Sequence, residues 1–66
     1  MSVAKTLEII SSSTESIEAA VRGGIAKASE TISGIEGAWV KSTKVIIRDN
    51  KVVEWRVTLK ITFIVA

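Results

Sequence analysis

The stretch "VVEWRVTLKITFIV", residues 52–65, decides how this chain folds. Val53, Trp55, Val57, Leu59, Ile61, Phe63 and Val65 alternate with Glu54, Arg56, Thr58, Lys60 and Thr62. A period of two over so many positions describes an antiparallel strand with one face buried and the other polar. Immediately before it, "RDNK" holds Asp49 and Asn50, residue types that tolerate positive φ. They predict a tight hairpin turn back to a second strand over residues 38–48, rich in Val, Ile, Thr and Trp.

Upstream the period changes. Ile17, Ala20, Val21, Ile25, Ala28 and Ile32 follow three- and four-residue spacing, which predicts one helix from about Thr14 to Ser33. Arg22, Lys27 and Glu30 fall largely on its other side. Ser11–Ser13 is a helix-entry signal, and Ser12 with Glu15 has the capping-box spacing, Ser13 being an equally good cap. Glu15 and Glu18 suit the positive end of the helix dipole. Gly34 is a plausible left-handed terminator. The Gly23–Gly24 pair costs the helix roughly 1 kcal/mol per glycine relative to alanine, which points to close approach of another backbone, from this chain or a neighbour. Residues 3–10, "VAKTLEII", read as a first strand. The fold class is therefore α+β, a single domain over residues 1–66 with the order β-α-β-β, its three-stranded antiparallel sheet wrapped on one helix.

Size and composition press toward self-association. A domain of 66 residues buries roughly 60% of its unfolded surface, a thin margin for a core. With no cysteine and no histidine, disulfides and the usual zinc ligands are both excluded, yet 47% of the residues are hydrophobic. The strand 38–48 adds to the pressure, with Trp39, Val45 and Ile47 on one face and Val40 and Ile46 on the other. One helix covers one face of a sheet, so the second face calls for another subunit.

The same composition limits chemistry. No side chain has an unperturbed pKa near neutrality and no thiol is present. Asp49 is the only aspartate and the glutamates are scattered, so no carboxylate pair announces an enzyme. The net charge of +2 is mild and its signs are interspersed, which gives nucleic acid no footprint. No apolar run reaches the roughly 20 residues of a membrane span, and no signal peptide is readable, so a cytoplasmic location is expected.

"LEII", then "SSSTESIEAAVRGGIAKASETI", then "WVKS" and finally "VVEWRVTLKITF" together resemble the dodecin family, small flavin-binding proteins that assemble as hollow dodecamers. The resemblance covers nearly the whole chain and implies a homododecamer of cubic-type symmetry, with flavin (FMN or riboflavin) as cofactor. It also implies a storage and photoprotective role rather than catalysis. In flavin-binding members a tryptophan stacks on the isoalloxazine and a last-strand glutamine hydrogen-bonds it.

Ungapped alignment puts Gly37 at the stacking position and Arg56 at the glutamine position. Glycine offers no stacking surface, a contact worth on the order of 1–3 kcal/mol. Arginine donates hydrogen bonds but accepts none. Trp39, two residues on and about 7 Å further along the same face, is read either as a subunit anchor, as a shifted stacking platform or as a core residue. Lys44 aligns with a basic position that meets the flavin phosphate in some members. Arg56 and Lys60 suit an anion or a cross-subunit glutamate, Glu54 a symmetry-built calcium site, and Trp55 the core. The expected cofactor-binding set is Gly37, Trp39, Lys44 and Arg56, with no catalytic residue and no metal ligand. The alternative is a flavin-free assembly of the same fold, stabilised by calcium or another small ligand.

Overall fold

A computed structural model describes residues 2–65. The elements run β1 (Val3–Ser13), α1 (Ile17–Ala28), β2 (Ile35–Arg48) and β3 (Lys51–Val65). The sheet is antiparallel with the order β1-β3-β2, so the alternating strand that decided the reading is the central one. Its register runs from Val3 opposite Val65 to Ser13 opposite Trp55 on one side, and from Ile35 opposite Phe63 to Arg48 opposite Lys51 on the other. The turn holds Asp49 at φ 52° and Asn50 at φ 63°, two successive left-handed residues, as the hairpin required.

The helix is shorter than its periodicity suggested. All three serines of Ser11–Ser13 belong to β1, paired with Val57, Arg56 and Trp55, so the expected capping box does not form. Ser11 Oγ instead donates to the Ala20 carbonyl at 2.7 Å and ties strand to helix. Ser13 Oγ accepts from the Glu15 N–H at 2.9 Å, in a turn before the helix. The N-cap is Ser16, extended at φ −170°, whose Oγ accepts from the Ala19 N–H at 2.9 Å. Glu18 lies in the first turn as expected, whereas Glu15 precedes it.

At the other end the helix stops at Ala28. Ser29 caps it, and the Ile32 N–H still reaches the Ala28 carbonyl at 3.0 Å. Ile32 thus continues the apolar stripe without being helical, which is why spacing alone overran the terminus. Gly34 is left-handed, at φ +77°, but for the sheet: its carbonyl accepts from Ile64 N–H at 2.9 Å, and a Cβ there would meet the Ile64 carbonyl oxygen at 3.0 Å.

The helix packs chiefly on β1 and β3. Val57, Leu59 and Ile61 are fully enclosed beneath Ala20 and Ala28, with Ile9, Ile17, Val21, Ile25, Ile32 and Ile35 packed around them. Burying each of those three side chains contributes about 1.5–3 kcal/mol, against a backbone entropy cost of about 1–2 kcal/mol per ordered residue. The rest of the apolar face is incompletely covered. Trp55 is half-buried rather than core, and Val53 and Val65 are exposed. The hairpin runs past the helix, giving extents of 52 × 20 × 13 Å. The radius of gyration, 13.5 Å, exceeds the roughly 11 Å of a compact domain this long.

A bulge corrects the face assignment of β2. Val40 lies opposite Leu59 and Ser42 opposite Thr58, leaving Lys41 as the extra residue. Parity reverses there, so Val40 and Val45 side with the helix while Trp39 and Ile46 share the opposite face.

Candidate functional site

β3 fixes the site because its even-numbered residues from Glu54 to Thr62 leave the sheet on the face away from the helix. Register then assigns the neighbours. Gly37 lies opposite Thr62, Trp39 opposite Lys60 and Lys44 opposite Arg56, so all four expected site residues share this one face. β1 adds Glu8 beside Lys60 and Ser12 beside Arg56. The Trp39–Lys60 row and the Lys44–Arg56 row are four β3 residues apart, about 13 Å.

Trp39 is 63% exposed, which removes the reading of it as a core residue of its own chain. Gly37 has open space where a side chain would stand. The cations are partly engaged. Arg56 donates to Glu54 Oε2 at 2.5 Å, a pair of half-buried side chains on the same strand face. That pair offsets the repulsion expected of Lys44 and Arg56 set directly opposite one another. It also turns Glu54 toward a guanidinium rather than toward open solvent. Lys41, projected by the bulge, reaches over β3 to Glu8 Oε1 at 2.9 Å. Sequence reasoning passed over this pair, whose partners are far apart in the chain and meet only through the three-strand register. Lys44 makes no ion pair among the described residues.

A well-formed concavity lies elsewhere. A groove of about 520 Å³ runs between β1 and α1, lined by residues including Leu7, Ile9, Gly23 and Ile32. None of Gly37, Trp39, Lys44 and Arg56 borders it. The Trp39 face is therefore a platform in the isolated chain, not a cavity, and a second surface is needed to enclose anything laid on it.

The family model for dodecin matches residues 3–66. This chain belongs to the dodecin family. Solved structures agree along the full length. A point-mutant form of the Thermus thermophilus dodecin is 29% identical with a TM-score of 0.95, over 100% of this chain and 98% of that one. The dodecin from Streptomyces coelicolor is 26% identical with a TM-score of 0.94, over 98% of this chain and 93% of that one. The Streptomyces davaonensis dodecin is also 26% identical with a TM-score of 0.94, over 98% and 96% of the respective chains. No curated protein matches the chain. Both the β-α-β-β topology and the antiparallel three-stranded sheet are those of the dodecin structures. No helix among the described residues of this dodecin is long and apolar enough to cross a membrane.

Proposed function

We propose that this dodecin is a non-enzymatic flavin-binding and storage protein, built as a hollow homododecamer, whose stacking platform has moved from position 37 to Trp39. The observation that carries the reading is the exposed Trp39 indole on the same sheet face as Gly37, Lys44 and Arg56. An aromatic face left out of its own core offers the isoalloxazine a stacking surface, and the same contact quenches the flavin's excited state. Lys44, about 13 Å away along the sheet, is within reach of the phosphate on a ribityl tail. Arg56 donates to ring carbonyls, while its pairing with Glu54 holds the guanidinium in place. The protein acts in the cytoplasm, with flavin and copies of itself as partners and neither nucleic acid nor membrane.

A second reading is favoured by the same pair. Glu54 already occupies the Arg56 guanidinium, and Gly37 presents no ring, which together suit a flavin-free assembly in which Trp39 is a subunit anchor.

Titration of FMN and riboflavin, followed by flavin fluorescence, separates the two. Saturable quenching that Trp39→Ala abolishes without changing oligomer size supports the platform. Absence of quenching at tens of micromolar flavin refutes it, and loss of the shell in Trp39→Ala assigns the anchor. Because the space beyond Gly37 is open, Gly37→Trp should add a stacking contact and tighten flavin binding by on the order of 1–3 kcal/mol.

A further inference from the structure

On the face that carries Trp39, two lysines stand near one carboxylate. In the row Glu8–Lys60–Trp39, β3 sets Lys60 directly between an acid on β1 and an indole on β2. Opposed residues on neighbouring antiparallel strands hold their Cβ atoms about 4.5–5.5 Å apart, so the register offers Lys60 both neighbours. Glu8 is the partner expected of it. The ion pair that forms is a different one, since Lys41 Nζ reaches Glu8 Oε1 at 2.9 Å. Lys60 is half-buried and makes no ion pair among the described residues.

The bulge explains the exchange. Lys41 is the extra residue of β2, with no β3 residue opposite it, so its side chain belongs to no cross-strand row. Reaching across β3, it takes the carboxylate that the register had offered to Lys60. The other carboxylate of β3, Glu54, lies six residues away, about 20 Å along the strand, and is paired with Arg56. What is left beside Lys60 is an uncompensated positive charge and a bare aromatic surface, the 63% exposed indole of Trp39. A lysine ammonium is attracted to an indole face that nothing covers. A planar ring laid on that face displaces the ammonium to the ring's edge, where negative charge on the ring meets it.

We propose that Trp39 and Lys60 form a subsite for planar aromatic anions, the indole carrying the ring and the ammonium its negative charge, with Lys41 as a positioning residue that keeps Glu8 off Lys60. The subsite rests on the Trp39 platform of the reading above. It adds a charge preference at the ring itself, separate from the phosphate role given to Lys44. A neutral ring gains the stacking contact alone, whereas an anionic ring gains Lys60 as well. Two lysines against one glutamate leave a positive charge at the platform, which a Glu8–Lys60 pair without Lys41 would cancel.

Isothermal titration calorimetry of the assembled protein with naphthoate and naphthamide, rings of one shape and different charge, measures the preference. The parent should bind the carboxylate about two- to fivefold more tightly, the size of one exposed ion pair, and less so as salt rises. Lys60→Met should make the two affinities equal. Lys41→Met should also erase the preference, because Glu8 then pairs with Lys60, and adding Glu8→Gln to it should restore the preference. Glu8→Gln alone, which touches neither lysine, should strengthen it. Naphthamide affinity that stays constant through the series distinguishes this chain of charges from a damaged platform. Equal binding of the two probes by the parent, or an unmoved preference in Lys41→Met, overturns the proposal and leaves the platform standing. Binding of neither probe overturns the proposal and the platform together.

Discussion

Gly24 offers a sharp test of how tightly helix and sheet are matched. Replacing it with alanine places a Cβ 2.9 Å from Ser11 Cβ and 3.0 Å from Leu59 Cδ1, where ordinary contact is 3.4–4 Å. Either the helix lifts by about half an ångström or more, or both neighbours shift, and Ser11 Cβ is fixed to its backbone while the Leu59 methyl is fully buried. Overpacking of this kind costs typically 1–3 kcal/mol. Displacing Ser11 also strains its 2.7 Å hydrogen bond to the Ala20 carbonyl, worth about 0.5–1.5 kcal/mol. Against these stands a gain of roughly 1 kcal/mol in helix propensity. The expected net result is a loss of about 1–3 kcal/mol. Urea unfolding followed by circular dichroism measures it, with chain concentration held fixed because assembly couples stability to concentration. A double-mutant cycle with Ser11→Gly, which removes the nearer of the two clashing atoms, should recover at least about 0.5 kcal/mol as coupling. A Gly24→Ala protein as stable as the parent, or more so, would refute the packing argument.

Ser16→Ala should lower stability by about 1 kcal/mol through loss of the N-cap bond to Ala19, read as a lower urea midpoint at unchanged slope, whereas Ser12→Ala should leave the midpoint nearly unmoved. Asn50→Val, which puts a β-branched residue at φ 63°, should cost about 1–2 kcal/mol in the same assay, while Asn50→Gly should be neutral or slightly stabilising.

The parts of the fold that were legible in the sequence are those set by local chemistry. The alternation of residues 53–65 and the Asp49–Asn50 turn describe the hairpin because both work through nearest neighbours. Boundaries that depend on competition were not legible. Four serines could have capped the helix, and Ser16 does so only because Ser11–Ser13 find partners on β3, more than forty residues later. Ile32 keeps helical spacing by packing on the core from a turn. The bulge at Lys41 leaves no compositional trace, since no glycine or proline marks it, and it reversed the faces of Val45 and Ile46 relative to Trp39 and Val40. For the site, the shared face of Gly37 and Trp39 followed from strand parity, whereas Arg56 joins it only through the β2–β3 register. The Glu8–Lys41 pair did not, because it needs the register of three strands at once.

The central place of β3 has a consequence for how the chain is made. The strand that both others pair with is the last of the four elements to leave the ribosome. Until residues 57–61 emerge, β1 has no partner and α1 has no floor, since Val57, Leu59 and Ile61 are that floor. Nascent chains of up to about fifty residues can therefore hold at most a fraying helix. Folding then waits for contacts as distant as Val3 with Val65, the non-local kind that slows the search. Through that interval the apolar face of the helix stays uncovered, and chaperone capture of the unfinished chain competes with its completion.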